Sequence, residues 1–229
     1  MKVFSTIAVQ GAVMEIAPQF EQVHGCTLAF TWATAPLLLK RLEAGETADA
    51  LILNRASIDS LNAAGRLVAG SDVTLAGSAT ALAVKAGAPR PNISTPEALK
   101  RTLLAAKAVS YTDPAAGGAS GIYFAKLLER MGIAAEMKAK TIFPPPSGYA
   151  GTYLLSGEAQ LAVQQVPELL QVAGIDIIGP LPGDLHMVTV FAAGIPANST
   201  RIETARALVD FLRSPAAKVA FRARGLDAV

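Results

Sequence analysis

Lys2-Val3-Phe4-Ser5-Thr6-Ile7, with the helical pattern over residues 11–24 and the apolar run over residues 27–32, is the stretch that decides the fold. A short run of Val, Phe and Ile bounded by polar residues reads as a strand. Behind it, Val13, Ile16, Ala17, Phe20 and Val23 recur at helical spacing and share one face. Gly25 stops that helix, because glycine adopts the left-handed turn at a helix end without a Cβ penalty. The run ending at Trp32 is a second strand. Strand, helix and strand in immediate succession are the grammar of a parallel sheet.

The grammar continues outward. Residues 36–44 read as a helix closed by Gly45, 50–53 as a strand, 58–64 as a short helix stopped by Gly65, and 79–85 as a strand. After Pro89-Arg90-Pro91 it restarts. Ser94-Thr95-Pro96-Glu97 is a helix start: a hydroxyl cap, proline in the first turn and an acid near the positive end. That helix reaches residue 106; a strand at 108–111, a Gly-rich loop at 112–120 and a helix at 121–131 follow. Residues 141–143 are extended, and Pro144-Pro145-Pro146 leads to a helix at 148–156. Strands at 160–163, 175–178 and 187–192, a short helix at 167–172 and helices at 203–213 and 215–224 complete the reading. The fold class is α/β, with two lobes that each hold a mostly parallel sheet flanked by helices. Lobe I takes residues 1–82 and 190–229, and lobe II residues 83–189. Two crossings, near 80–85 and 186–192, form a hinge that invites closure on a ligand.

Composition agrees with a well-cored chain and excludes several functions. The 229 residues suffice for two lobes, and 52% hydrophobic with 17% charged residues leaves no tendency to disorder. A net charge of +2 without a Lys/Arg block gives no footprint for nucleic acid. Cys26 alone forms no internal disulfide, and one Cys with two His supplies no zinc cluster. No apolar run approaches the ~20 residues that membrane insertion needs. Met1-Lys2 leads straight into Val3-Phe4 and polar Ser5-Thr6, which is not a secretion leader. The expected location is the periplasm if a leader was removed and the cytoplasm otherwise.

In open α/β sheets ligands bind beyond the carboxyl ends of the strands, where helix N-termini offer free N–H groups. The strand-to-helix turns carry Thr6, Ile7 and Gln10; Thr34; Asn54 and Arg55; Ser120 and Gly121; Ser147 and Gly148; and Gln164 and Gln165. These are the candidate ligand-binding residues. Most are neutral donors, which hold an anion without neutralising it. Arg55 reads either as a bidentate clamp on a carboxylate or as a surface ion pair, and Thr34 and Ser120 either as ligand groups or as caps. No GxxxxGK[ST] or GxGxxG is present, so nucleotide binding is disfavoured. Catalytic signatures are poor: His24 and His186 stand far from a nucleophile, Asp113-Pro114 reads as a turn former, and no HExxH, GxSxG or CxxC occurs. No cofactor and no metal is expected.

The opening Val3-Phe4, the stretch Phe30-Thr31-Trp32-Ala33-Thr34 with Leu42-Glu43-Ala44-Gly45 and Ala48-Asp49-Ala50, and the loop from Asp113-Pro114 to Ala119-Ser120-Gly121-Ile122-Tyr123 resemble periplasmic molybdate-binding proteins. So does the end, Phe211-Leu212-Arg213-Ser214-Pro215 through Phe221 and Gly225-Leu226. The resemblance spans nearly the whole chain and implies the type 2 periplasmic-binding-protein fold. It also implies a small anionic ligand, an ABC permease as partner and a monomer. The ligand turns depart from the pattern. Ala8 stands where the family has a serine on the oxyanion, the serine-rich second turn becomes Thr34-Ala35-Pro36, and Gln164 replaces the capping tyrosine. Each lost hydroxyl leaves an oxyanion oxygen unpaired at roughly 1–3 kcal/mol. A di- or tricarboxylate therefore fits better than molybdate. The same branch includes aconitate isomerases, which makes proton transfer on a tricarboxylate the alternative to a transport receptor.

Overall fold

A computed structural model describes residues 1–145 and 148–229. β1 (Lys2–Thr6) runs through a single 3-10 turn, Ile7–Val9, into α1 (Gln10–His24). β2 (Ala29–Ala33), α2 (Ala35–Glu43), β3 (Ala50–Asn54), α3 (Arg55–Ala63) and the long β4 (Val73–Lys85) follow. Next come α4 (Pro96–Ala105), β5 (Val109–Tyr111), a 3-10 turn at Pro114–Ala116, α5 (Ala119–Arg130), α6 (Ala134–Lys138) and β6 (Thr141–Ile142). α7 (Thr152–Ser156), β7 (Leu161–Gln165), α8 (Val166–Leu169), β8 (Ile175–Pro180) and β9 (Val188–Gly194) lead to α9 (Ile202–Phe211), α10 (Pro215–Ala223) and β10 (Asp227–Ala228). The chain divides into two units, Met1–Ser78 with Thr189–Val229, and Ala79–Val188; both divisions fall inside strands, β4 and β9.

In the first unit β1 lies between β2 and β3, parallel to both, with Thr6 opposite Ala33 and Ser5 opposite Ile52. β9 pairs antiparallel with β3, and β10 with the start of β4. The two-residue alternation of a strand sends Val3 and Ile52 to one face and Phe4, Leu51 and Leu53 to the other. The first face packs on Phe20, Leu208 and Phe221, the second on Leu38, Ile58 and Leu61. Both cores mix alanines with large aliphatic and aromatic side chains, the latter each worth about 1.5–3 kcal/mol when fully buried.

The second unit repeats the plan with different filling. β5 lies between β6 and β7, parallel to both, and β7 pairs antiparallel with β4, which also pairs antiparallel with β8. One face is again bulky: Leu82, Val84, Val109 and Val163 against Leu99, Leu103, Phe124 and Leu127. The other is mostly alanine: Ala81, Ala83, Ala150, Ala159 and Ala162 with Leu154 and Leu169.

Local signals behave as chemistry requires. Thr95 accepts from Ala98 N–H at 3.2 Å at the start of α4, and Ser214 accepts from Ala217 N–H at 3.2 Å at the start of α10. Gly25, at φ 59°, ends α1 in the left-handed conformation. Several boundaries differ from the sequence expectation. α3 begins at Arg55 rather than residue 58, because the Asn54 side chain accepts from Ser57 N–H at 2.9 Å. The strand expected at 79–85 begins at Val73, where pairing with β10 extends it through Gly77. The helix expected at 148–156 shrinks to Thr152–Ser156, with Gly148 N–H bonded back to Pro145 O at 2.8 Å. α6 and β10 were not expected; both are too short for periodicity to register. Among the described residues no helix is long and apolar enough to cross a membrane.

Candidate functional site

Parallel strands bring their carboxyl ends to a common edge, so each unit carries one edge where strand-to-helix turns gather. In the first unit that edge holds Thr6, Thr34 and Asn54, at the ends of β1, β2 and β3. Thr6 precedes the 3-10 turn of Ile7, Ala8 and Val9, all of them buried. The Thr6 hydroxyl is also buried and has no hydrogen-bond partner among the described residues. Gln10, the first residue of α1, is partly exposed. Thr34 is the extended N-cap residue of α2. Asn54 spends its side-chain oxygen on the cap of α3.

Arg55 is committed within its own unit. Its Nε donates to Asp59 Oδ1 at 2.7 Å, and its Nη2 pairs with Asp59 and Asp72. The Arg55 side chain is 29% exposed and that of Asp72 only 17%. Of the two readings from sequence, the arrangement matches the ion pair. A carboxylate ligand would have to displace acids already holding the fork.

In the second unit the edge is built from β5, β6 and β7. Thr112 leaves β5, and the Asp113 side chain accepts from Ala115 N–H at 2.9 Å, which forms the turn. The chain then folds tightly back over Thr112. A Cβ on Gly121 would lie 2.0 Å from Thr112 O, and one on Gly118 2.5 Å from Thr112 Cγ2. Only glycine permits that approach. Ser120, expected at the end of the loop, and Gly121, expected as the first helical residue, sit buried in the first turn of α5. That turn has no side-chain cap, so its first N–H groups and positive dipole end are not neutralised by a side chain. The Thr112 hydroxyl is buried without a partner among the described residues, as are the Gln165 side-chain oxygen and the Ser110 hydroxyl. Ser147 lies outside the described residues.

The end of β7 holds a polar knot. Gln164 is 1% exposed. Its Oε1 accepts from Ala150 N–H at 2.8 Å, and its Nε2 donates to Gly148 O at 3.3 Å. Gln164 thus ties the Gly148–Ala150 backbone to the end of β7. Glu168 is 9% exposed and receives Gln165 N–H on Oε2 at 3.3 Å. Burial pushes its carboxyl up to about 7, and the hydrogen bond from Gln165 N–H offsets only part of that rise. Burial, and then the Glu168 carboxyl, push the half-buried Tyr149 hydroxyl above its ordinary value. Thr112, Tyr149 and Glu168 are not among the candidate ligand residues read from sequence. The legible signal for Glu168 was its place three residues after Gln165, the spacing of a capping box.

Chemically, the second unit's edge offers uncapped N–H groups, small hydroxyls and one carboxyl poised between its two protonation states. Residues 1–227 match the family described as bacterial extracellular solute-binding protein. An aconitate isomerase from Pseudomonas sp is 35% identical over 235 residues, covering 100% of this chain and 88% of that protein. Among solved structures, the periplasmic molybdate-binding protein of Azotobacter vinelandii superposes with a TM-score of 0.79 at 18% identity, over 99% of this chain and 98% of that one. A periplasmic thiamin binding protein superposes with a TM-score of 0.76 at 17% identity, over 98% and 81%. At such identities the structural likeness carries the fold, a type 2 periplasmic-binding-protein fold, and says nothing of the ligand.

Proposed function

We propose, for a chain that belongs to the bacterial extracellular solute-binding protein family, that it binds a small polycarboxylate of the aconitate class. The observation that carries this reading is the full-length identity of 35% to an aconitate isomerase. The molybdenum- and molybdate-binding neighbours share 16% and 18% identity, which carries the fold alone. The strand-end edges support the same choice. They offer neutral hydroxyls, amides and backbone N–H groups, which suit carboxylate oxygens, and the positions where the family resemblance expects hydroxyls on an oxyanion carry buried Ala8 and a Gln164 amide bonded to Ala150 and Gly148. As a transport receptor the chain would deliver this ligand to an ABC permease from the extracytoplasmic side.

A second reading is favoured by the same relative together with the buried carboxyl at Glu168: interconversion of cis- and trans-aconitate. A base takes a proton from the carbon beside a carboxylate, breaking that C–H bond. The electron pair shifts the double bond along the allylic system, and a proton returned at its far end forms the new C–H bond. No proton is gained or lost overall. A group that titrates near neutrality suits such a transfer.

The test is a thermal-shift panel of cis- and trans-aconitate, citrate, isocitrate, sulfate and molybdate, followed by ultraviolet or NMR assay of each aconitate isomer. Aconitate at 100 times its dissociation constant should add about 2.7 kcal/mol. Stabilisation by molybdate alone would overturn the carboxylate reading. Stabilisation by aconitate without conversion would retain the receptor and remove the isomerase.

A further inference from the structure

The second unit has another concave place, at the edge opposite its strand-to-helix turns. There the end of β4, the start of β7, the last turns of α4 and the end of α7 surround a cavity of about 490 Å3. Small-molecule sites run from roughly 300 to 1,000 Å3. The walls are mostly apolar: Val84, Pro89, Pro91, Ala105, Leu154 and Leu161. They are also pinned. Pro89 and Pro91 fix their own backbone φ. Ala88 N–H bonds to Lys85 O at 3.0 Å, and Thr102 Oγ1 donates to Asn92 O at 2.9 Å, tying the proline segment to α4. A cavity held in this way loses little freedom when it fills. Its polar groups gather on one side. Lys85 is the charged residue of the lining; its Nζ reaches Leu155 O at 3.4 Å and forms no ion pair among the described residues. Gln160 also lines the cavity, and its Oε1 accepts from Lys107 N–H at 2.7 Å. That bond fixes which end of the amide is oxygen and leaves the NH2 group without a partner among the described residues.

We propose that this cavity is a second binding site, for a small amphipathic monocarboxylate. The apolar body lies against Val84, Leu154 and Leu161, and the carboxylate meets Lys85 Nζ and the Gln160 NH2 group. The site stands apart from the polycarboxylate reading above and does not depend on it. Charge decides the head group. A cation and an amide donor face the cavity, and no acid lines it. The acids on neighbouring segments are engaged elsewhere: Asp176 accepts from Gly87 N–H at 3.1 Å, and Glu158 from Ser156 Oγ at 2.8 Å. The walls decide the rest. A ligand with two or three carboxylates would press the others against proline, alanine and leucine without hydrogen bonds, which is costly. One carboxylate on a hydrocarbon body matches both the donors and the walls.

The experiment titrates the full-length chain with octanoate, and separately with 1-octanol, while backbone amide resonances are followed by NMR at neutral pH. Three proteins are compared: the wild type, Lys85→Met and Ala105→Phe. Methionine keeps the aliphatic stem of Lys85 and removes its charge. Ala105 is exposed at the end of α4, so a phenyl ring there enters the cavity without displacing the core. Octanoate should shift the Ala88, Ala105 and Leu161 amides of the wild type along saturable curves, and should bind more tightly than octanol. Lys85→Met should weaken octanoate by about fivefold, the upper range for an exposed ion pair, and leave octanol unchanged. Ala105→Phe should abolish the binding of both. Three results overturn the proposal. One is a wild type without saturable shifts around the cavity, or with shifts confined to the opposite edge. Another is equal affinity for octanoate and octanol that Lys85→Met does not alter. The third is octanoate binding undiminished in a folded Ala105→Phe; were that variant to unfold, the wild-type shifts and Lys85→Met would still decide.

Discussion

The two units share a plan and differ in what they bury at their strand ends. In each, three parallel strands flank an antiparallel neighbour and feed helices. The first unit packs large apolar side chains among alanines on both sheet faces, and Arg55 at its edge is held by two acids. The second unit fills one face mostly with alanine, and places Gln164, Gln165 and Glu168, all buried, where its strands end. A buried polar network of this kind stabilises only when its members are satisfied. Here the Gln165 oxygen is not, and the Glu168 carboxyl sits near its titration point. The contrast teaches that the same topology supplies one edge whose arginine is already paired and one edge that buries an acid beside an unpartnered amide oxygen.

The comparison breaks most visibly at glycine. Gly121→Ala would drive a Cβ into Thr112 O, and neither backbone can yield cheaply. A loss of about 3 kcal/mol in urea unfolding is expected, at the upper end of overpacking costs. A cost near zero would mean that the second unit's turn is not as tight as its packing. The next effect is electrostatic. The unfolded chain releases the Glu168 proton near 4.5, and the folded chain near 7. The neutral acid is thus tolerated below 4.5, and stability is lost as pH rises from there through about 7. Glu168→Gln removes that loss and should be more stable than the wild type at pH 8 by on the order of 1–3 kcal/mol. Equal denaturation midpoints at pH 5 and pH 8 in the wild type would contradict it.

Smaller effects sharpen the first unit. Asn54→Ala removes the cap of α3 and should cost about 1 kcal/mol with no change in anion affinity. Arg55→Ala breaks pairs to a half-exposed and a mostly buried acid, and about 1 kcal/mol or less should be lost. If Arg55 is only structural, trans-aconitate affinity stays within about twofold; a loss of tenfold, about 1.4 kcal/mol, would restore it as a ligand clamp. Thr6→Val and Thr112→Val remove buried hydroxyls with no partner among the described residues. The ligand-free protein should change by less than about 1 kcal/mol, because no hydrogen bond is lost. Weakened binding in either variant would mark that hydroxyl as one that meets the anion.

Much of this could be read one residue at a time. The start of α4 at Thr95-Pro96-Glu97, the start of α10 at Ser214-Pro215 and the end of α1 at Gly25 follow from chemistry within three or four residues, which a sequence displays directly. So did the alternation of strands and helices, and with it the α/β class. The candidate site was legible only as a set of turns. Arg55 finds Asp72 17 residues away, Gln164 finds Ala150 14 residues away, and no local pattern announces either pairing. The proton affinity of Glu168 depends further on the dielectric around it, which exists only after β7, α8 and the Gly148–Ala150 segment have excluded water. Sequence alone determined where helices and strands begin and turn, because those choices are made between neighbours. Only the tertiary structure decided which side chains remain available to a ligand, because that depends on partners the chain brings from elsewhere.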